Sequence, residues 1–256
     1  MTMSPSSTTH ALRVVGLGFK VGGAEILSGI DLDVPPGSFL GIIGPNGAGK
    51  TTFLNLLSGV LAPSSGTIEL EGRDLKDSDP SSRARLGLGR TFQTSSLFNS
   101  LSVLENARLS AQARLGGSMR FWRRPRESDE AVSAAHDALD AVGLSTLSDR
   151  PTSSLSHGDK RKLELAILLA AEARVLLLDE PMAGVSTEDV PMLTSLIGRL
   201  HSEGRTVLMV EHHMAVVIGL AEQVAVFDYG RLLACGNPEM VMANEAVQSA
   251  YLGEPL

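Results

Sequence analysis

The chain has 256 residues, a formal net charge of −7 and a single cysteine, Cys235. This length suffices for one large α/β domain with an insertion, and the acidic balance gives no basic footprint for nucleic acid. One cysteine excludes an internal disulfide and a cysteine-based zinc site, which favours a reducing cytoplasm. No apolar stretch reaches the roughly 18 residues of a spanning helix, so we expect another chain to supply any membrane part.

The N-terminal half begins with a polar stretch rich in Ser and Thr, and we expect residues 1–10 to be a disordered tail. From Ala11 to Leu75, short alternating segments are separated by turns containing Pro and Gly, which predicts strands. Among them, Phe39–Ile43 is an apolar strand, and Lys50–Val60 is predicted to be a helix. A loop rich in glycine joins this strand to this helix.

The middle of the chain has helical periodicity from Ser100 to Val142, with a break at Gly116-Gly117 and a basic, aromatic stretch from Arg120 to Arg126. We expect this insert to be a helical subdomain. After Pro151 the pattern becomes α/β again, because apolar strands alternate with helices and imply a parallel sheet covered on both faces. The predicted elements are helix Lys160–Ala171, strand Val175–Leu178, a helix from about Glu188 to Ser202, and strand Thr206–Val210.

The start of the helix near Glu188 is open at this stage. Ser186 and Asp189 resemble a capping box, but Pro191 would then lie near the limit of where a helix tolerates it.

The glycine-rich loop after Phe39–Ile43 matches the full pattern G-x-x-x-x-G-K-[ST] between a strand and a helix. Its backbone N–H groups and the start of the helix are suited to bind phosphate oxygens. Lys50 would neutralise charge on the β- and γ-phosphates, and Thr51 would offer its hydroxyl to Mg²⁺. A glycine-rich turn that binds nothing is the weaker alternative. The expected nucleotide-binding residues are Gly44, Pro45, Asn46, Gly47, Ala48, Gly49, Lys50, Thr51 and Thr52. Many kinases and GTPases share this loop, which predicts a nucleotide but no family.

Three further motifs follow in order, namely Leu155–Asp159, Val175–Pro181 and Glu211-His212. With the glycine-rich loop, this ordered set resembles the ATP-binding cassette (ABC) ATPases over residues 11–253. The resemblance implies an α/β fold: a P-loop NTPase core with a mainly parallel sheet, an antiparallel β-subdomain and an inserted α-helical subdomain. The expected divisions are a core with its β-subdomain at 11–92 and 156–235, the helical subdomain at about 93–155, and a C-terminal helical tail at about 236–253.

Two acids, Asp179 and Glu180, end a fully apolar strand, so both carboxylates should be presented at the carboxyl edge of the sheet. Adjacent acids at that edge suit a cation, although an acidic helix-capping turn is the alternative. The resemblance implies that Asp179 holds Mg²⁺ and that Glu180 orients or deprotonates the attacking water.

Two further residues are assigned through the resemblance. Gln93, in Arg90-Thr91-Phe92-Gln93, looks like the glutamine loop that links Mg²⁺ to the helical subdomain, with an exposed polar glutamine as the alternative. His212 looks like the switch histidine that contacts the γ-phosphate, whereas His213 is expected to be a bystander.

The segment from Ser156 to Gly158 precedes a helix expected to begin near Lys160, whose free N–H groups form a second anion site. The resemblance implies that Ser156 and Gly158 contact the γ-phosphate held by a second cassette, in a homodimer or heterodimer. His157 and Asp159 depart from the glycine and glutamine that are common there, although an acid suits a helix N-terminus.

Two other departures concern the base and the communication between sites. Val21 aligns with a position where the family often has an adenine-stacking aromatic, and we include it among the nucleotide-binding residues. Ser186 stands where the family often has Asp or Asn.

The kind of cassette is indicated by the motif ending at Gln93, the long insert through Trp122, Val210–Met214 and Ala250–Glu254. These segments look like the ATPases of branched-chain-amino-acid-type importers, and the long insert is similar to the larger of their two cassettes. The implied partners are transmembrane permease subunits, a second cassette and, indirectly, a solute-binding protein, with the chain on the inner face of the cell membrane. No nucleic acid is expected.

The permease is expected to dock in a cleft beside Gln93 that includes Thr94, Leu97 and Phe98, with ordinary core as the alternative for the two apolar residues. The Arg120–Arg126 stretch could contact lipid headgroups, the partner or only solvent. Two rival functions stay open: a lipid or lipopolysaccharide transport cassette, and a non-transport ABC ATPase acting on nucleic acid or the ribosome. The acidic balance and the single cassette count against the second rival.

Overall fold

The computed structural model describes residues 10–91, 97–115 and 130–251, without the side chains of the last two of these residues. In this part of the chain, every helix is too short or too polar to cross a membrane. Several sequence-based expectations fall outside the described residues: those for residues 1–9, Phe92, Gln93, Thr94, Gly116-Gly117, the Arg120–Arg126 stretch, Trp122 and residues 252–254.

The strands are, in chain order, β1 Leu12–Val21, β2 Ala24–Val34, β3 Phe39–Ile43, β4 Ser65–Leu70, β5 Arg73–Asp74, β6 Leu88–Arg90, β7 Val175–Asp179, β8 Thr206–Val210, β9 Gln223–Asp228 and β10 Arg231–Gly236. The α-helices are α1 Lys50–Leu57, α2 Pro80–Arg85, α3 Val103–Arg114, α4 Glu130–Ala141, α5 His157–Ala170, α6 Val190–Ser202, α7 Met214–Leu220, α8 Pro238–Met242 and α9 Glu245–Tyr251. Short 3₁₀ turns lie at Ser145–Leu147 and Thr152–Ser154.

The strands form two sheets. The larger has the order β10-β9-β3-β8-β7-β6 and is parallel except for the β9–β10 hairpin. The smaller is antiparallel, with the order β2-β1-β4-β5. This confirms the expected combination of a mainly parallel core sheet with an antiparallel β-sheet and helices. Strands β3, β8 and β7 are adjacent, so their carboxyl ends meet at one edge.

Alternate residues of the central strands enter two apolar clusters on opposite faces of the large sheet, as the period of two in a strand requires. Leu40 and Ile42 of β3 join α1 and the antiparallel sheet, while Phe39 and Ile43 join the cluster of α3–α7. All five residues in each of β3, β7 and β8 are buried. The carboxyl ends of these strands are therefore held in fixed positions by packing on both sides.

Three helix boundaries differ from the sequence prediction. α1 ends at Leu57 rather than Val60, because Gly59 follows with a φ of 80°, a conformation that ends helices. α5 begins at His157 rather than Lys160, because the Ser156 hydroxyl accepts a hydrogen bond from the Asp159 N–H at 3.1 Å and caps the helix.

The third boundary is the start of α6, at Val190 rather than Glu188. Asp189 is its N-cap, so Pro191 lies in the first turn, where its missing N–H is not needed. This decides the question left open by the sequence, because Ser186 and Asp189 form no capping box: the Ser186 hydroxyl donates to the Asp189 carboxylate at 2.8 Å, and it does not cap a helix. The subdomain boundaries expected at residues 92/93 and 155/156 stay predictions.

Candidate functional site

The glycine-rich loop, residues 44–51, leaves β3 at the carboxyl edge and leads into α1. Gly44 has a φ of 151°, and a Cβ there would overlap the carbonyl oxygen of Phe227. Gly49 is the N-cap of α1 with a φ of 97°, and its Cβ would lie 2.6 Å from Leu27 Cδ2. Both positions therefore need glycine for conformation and for space.

The turn between β9 and β10 is hydrogen-bonded to this loop. The Gly230 N–H donates to the Ala48 carbonyl at 3.1 Å, and the Gly230 carbonyl accepts from the Ser28 N–H at 2.9 Å. One residue of the turn thus connects the loop to the antiparallel sheet.

Lys50, the first residue of α1, is only 6% exposed. Its ammonium group donates to the carbonyl oxygens of Gly44 at 2.6 Å and Pro45 at 3.0 Å. Burial lowers the pKa of Lys50, and the nearby carboxylates of Glu180 and Asp179 act in the opposite direction. Next to it, Thr51 is exposed and Thr52 half-buried in the first helical turn, where N–H groups are not used within the helix.

Asp179 is the last residue of β7 and is 1% exposed. Its Oδ2 accepts from the Arg90 guanidinium at 3.0 Å, and its N–H donates to the Thr91 hydroxyl at 3.2 Å. Its other oxygen, Oδ1, is buried and has no hydrogen-bond partner in the described part of the chain. Burial raises the pKa of Asp179, and Arg90 counteracts this. A buried carboxylate oxygen without a donor is suited to a hard cation.

Arg90, at the end of β6, is a site residue to which the sequence analysis gave no role. Besides Asp179, its guanidinium donates to Asn55 Oδ1 and Ser58 Oγ of α1, both at 2.7 Å. Burial lowers the pKa of Arg90, and Asp179 raises it. Arg90 therefore connects the acid at the end of β7 to the helix that follows the glycine-rich loop. The sequence feature that could have pointed to Arg90 is the position of an arginine at the end of a short apolar strand.

Glu180 and His212 meet at the same edge, where Glu180 Oε1 lies 3.0 Å from His212 Nε2. They follow the neighbouring strands β7 and β8, and the Glu180 N–H donates to the Val210 carbonyl at 2.9 Å. Glu180 has a φ of 49°, in the left-handed region that residues with a side chain rarely adopt. Glu211, which the sequence analysis named in the Glu211-His212 motif without giving it a role, is buried and accepts from the Met182 N–H at 2.8 Å.

The second predicted anion site lies at the N-terminus of α5. The Ser156 hydroxyl is bonded to Asp159, and Gly158 is buried against Asp189, whose Oδ2 would lie 3.1 Å from an added Cβ. Among the described residues, no hydrogen bond connects Ser156 or Gly158 to residues 44–51. The structure of one chain thus brings Lys50, Asp179, Glu180 and His212 together.

The remaining predicted residues differ in how far they are exposed. Val21 is 56% exposed at the end of β1. Leu97 belongs to the buried cluster around α3–α7, whereas Phe98 is 58% exposed. The core alternative is therefore right for Leu97 and wrong for Phe98.

The parallel sheet, the glycine-rich loop between β3 and α1, and the acids ending β7 define a P-loop nucleotide-binding fold. The chain belongs to the ABC transporter family, whose model matches residues 27–183. A second model, described as branched-chain amino acid ATP-binding cassette transporter, matches residues 231–255.

Individual relatives agree with this assignment. The chain is 36% identical to the high-affinity branched-chain amino acid transport ATP-binding protein LivG of Escherichia coli K12, over 95% of this chain and 98% of the relative. It is 37% identical to the corresponding protein BraF of Pseudomonas aeruginosa, with the same coverage. The crystal structure of the ADP conformation of MJ1267, an ATP-binding cassette of an ABC transporter, superposes with a TM-score of 0.85 at 29% identity, covering 96% of this chain and all of that one.

Proposed function

We propose that this chain hydrolyses Mg-ATP as the cassette subunit of an importer for branched-chain amino acids or a related solute. The observation that carries the proposal is the contact between Glu180 Oε1 and His212 Nε2 at 3.0 Å, beside Lys50 and Asp179 on one sheet edge. A carboxylate near a γ-phosphate and next to a histidine is suited to orient or deprotonate a water.

The residues of the P-loop would bind the triphosphate. The Lys50 ammonium, which now donates to two loop carbonyls, would donate to phosphate oxygens instead, and the first N–H groups of α1 would add further donors. Glu180 would then orient the attacking water, and His212 would contact the γ-phosphate while fixing the Glu180 side chain. Val21 offers no aromatic face, so we expect little contribution from base stacking.

Mg²⁺ fits the acidic part of this site. Asp179 Oδ1 is a buried oxygen without a hydrogen-bond donor among the described residues, and the exposed Thr51 lies in the first turn of α1. No group of three His, Cys, Asp or Glu in the described segments could hold a metal alone, and Mg²⁺ commonly binds through one or two protein oxygens plus substrate phosphates. Asp179 and Thr51, with Gln93, would hold the ion, which neutralises charge on the phosphates. Gln93 lies outside the described residues.

A second cassette, identical or different, would complete the site. In the described residues, no hydrogen bond joins Ser156 or Gly158 to residues 44–51 of their own chain, and α5 has an N-terminus suited to an anion. These two residues would contact the γ-phosphate bound to the other cassette, so that ATP stabilises the dimer. Permease subunits would bind each cassette on the inner face of the membrane, with the exposed Phe98 as part of the docking surface, and a solute-binding protein would deliver the solute.

The test of hydrolysis is Glu180→Gln. We expect its turnover of Mg-ATP to fall about 100-fold or more, because the carboxylate that activates water is lost. ATP binding should be retained, and an ATP-bound dimer should accumulate in size-exclusion chromatography. The matched control is Glu203→Gln, which changes an exposed residue before β8 and should hydrolyse ATP like the unchanged chain. Full turnover in Glu180→Gln would remove Glu180 from this role.

The solute class needs a different experiment, because the cassette itself does not contact the solute. The chain should be extracted in mild detergent from its native membrane and its partners identified. Permease subunits of amino-acid type, with stimulation of hydrolysis by a loaded binding protein, would support the proposal. Co-purification with a lipid or lipopolysaccharide exporter would contradict it.

A further inference from the structure

Glu211 is a buried carboxylate that accepts hydrogen bonds from two loops at once. It directly follows β8 and is 2% exposed. Its Oε1 accepts from the Met182 N–H at 2.8 Å, and its Oε2 accepts from the N–H groups of His212 at 2.9 Å and His213 at 3.3 Å. The Nδ1 atom of His213 lies 3.1 Å from the same oxygen.

These partners belong to the segments that leave two neighbouring strands. Met182 is two residues beyond Glu180 in the segment after β7, and His212 and His213 follow Glu211 in the segment after β8. The Glu211 N–H also contacts the Ile42 carbonyl of β3 at 3.4 Å, and β3 leads into the P-loop. One residue therefore connects the segments that carry Glu180, His212 and the phosphate-binding loop.

The sheet ladder alone cannot hold these segments together. Their last direct ladder contact is the bond from the Glu180 N–H to the Val210 carbonyl. Beyond it, the amide groups need other acceptors, and Glu211 supplies them. Glu180 also has the unfavourable φ of 49°, a conformation that persists only where the surroundings hold it. An apolar residue at position 211 would leave the Met182, His212 and His213 N–H groups without this acceptor.

We propose that Glu211 is a positioning residue for hydrolysis: by joining the two segments it sets the 3.0 Å contact between Glu180 and His212. This inference rests on the proposed ATPase function. His213 contributes as well, because its ring contacts the Glu211 carboxylate and helps to fix the orientation of that carboxylate. Glu211 touches neither water nor phosphate in this scheme and acts only through its neighbours.

The test is Glu211→Gln in the full chain. The amide has the same size and keeps one acceptor oxygen, but its NH₂ group cannot accept from the N–H groups on the other side. We expect kcat for Mg-ATP to fall roughly 10- to 100-fold, as small misplacements of reacting groups do. The Kd for ATP should stay within about 2-fold, since Lys50 and the P-loop amides do not contact Glu211. Rates are counted per nucleotide-binding site, so a loss of folded protein does not lower kcat.

Two comparisons separate positioning from a purely structural effect. Glu203→Gln removes a carboxylate at the opposite end of β8 and should leave kcat unchanged. In the His212→Ala background, Glu211→Gln should lower kcat by less than about 2-fold, because residues that act as a unit have non-additive effects. A merely structural residue would lower kcat by the same factor in both backgrounds.

The outcomes are decisive. An unchanged kcat in Glu211→Gln, a parallel loss of ATP affinity, an additive effect with His212→Ala, or a variant that binds no nucleotide would each overturn the positioning role. In those cases the unchanged chain still hydrolyses ATP, and the proposed function stands. A chain that shows no Mg-ATPase activity before any substitution would instead overturn the proposed function and this inference together.

Discussion

The charged residues at the two ends of the parallel sheet differ in their exposure to solvent. At the carboxyl end, Lys50, Asp179 and Glu211 are 6%, 1% and 2% exposed. At the amino end, the Arg174 and Glu71 side chains form an ion pair while 59% and 38% exposed. A cleft of about 520 Å³ lies there, lined by charges of both signs that include Glu172, Arg174, Glu203 and Arg205.

The exposed ion pair and the buried charges differ in what they can do. Exposed pairs are screened by water and contribute little to stability or to a local field. Buried charges cost free energy of solvation, but in a low-dielectric site they act strongly on a bound phosphate. The same strands β7 and β8 have both kinds of end, so the fold places the candidate site at the carboxyl edge and burial strengthens the charges of Lys50 and Asp179 there.

The largest effect should come from breaking the buried pair with Arg90→Met. Asp179 would lose its guanidinium partner and become an uncompensated buried carboxylate. We expect the free energy of unfolding to fall by about 3–5 kcal/mol, measured by urea denaturation without nucleotide.

The matched substitution at the other end is Arg174→Met. Arg174 is largely exposed, so after allowance for solvent screening its loss should cost below about 1 kcal/mol. Equal costs for the two arginine variants would contradict the contrast between the ends.

A smaller effect on stability is expected from the backbone conformation alone. Glu180 and Glu172 have φ values of 49° and 53°, which favour glycine. At each position the Gly variant should be more stable than the Ala variant by about 1 kcal/mol, because glycine adopts the left-handed region without strain. Thermal denaturation of the four proteins gives both differences. If only position 180 responded, backbone strain would be specific to the carboxyl end of the sheet.

The smallest effect is the coupling between Arg174 and Glu71. A double-mutant cycle with Arg174→Met and Glu71→Ala should give about 0.2–1 kcal/mol, decreasing in 1 M salt. The hydrogen bond from Arg174 lowers the pKa of Glu71, so the coupling should be complete above the ordinary carboxyl pKa. It should disappear as the pH falls below about 4 and through the lowered pKa. A coupling that rises in acid would contradict this assignment.

Local patterns predicted the fold elements well where one physical rule dominated. β3 and β8 have the predicted bounds, since fully apolar runs between helices fit little other than buried parallel strands. Capping was harder, because Ser156 and Ser186 each precede an aspartate by three residues and only Ser156 caps a helix. The difference between the two serines depends on Pro191. A proline fits the first turn of a helix, so α6 begins at Val190 rather than directly after Ser186.

Arg90 and Glu211 could not be assigned from local sequence. Arg90 matters because β6 lies beside β7, and Glu211 because β7 lies beside β8, and both facts are long-range. A buried charge also looks like any surface charge until its neighbours are known. The P-loop, by contrast, needs only eight consecutive residues between a strand and a helix, so its sequence was sufficient to predict it.

The bond from Gly230 to Ala48 has a consequence for how the chain matures. The glycine-rich loop is encoded near the beginning of the chain, yet it is hydrogen-bonded to the β9–β10 turn, which is encoded about 180 residues later. A chain emerging from the ribosome therefore has the complete motif long before it has a complete receptor. Since contacts between such distant segments form late, we expect ATP affinity to appear only after the β9–β10 turn has been made and folded.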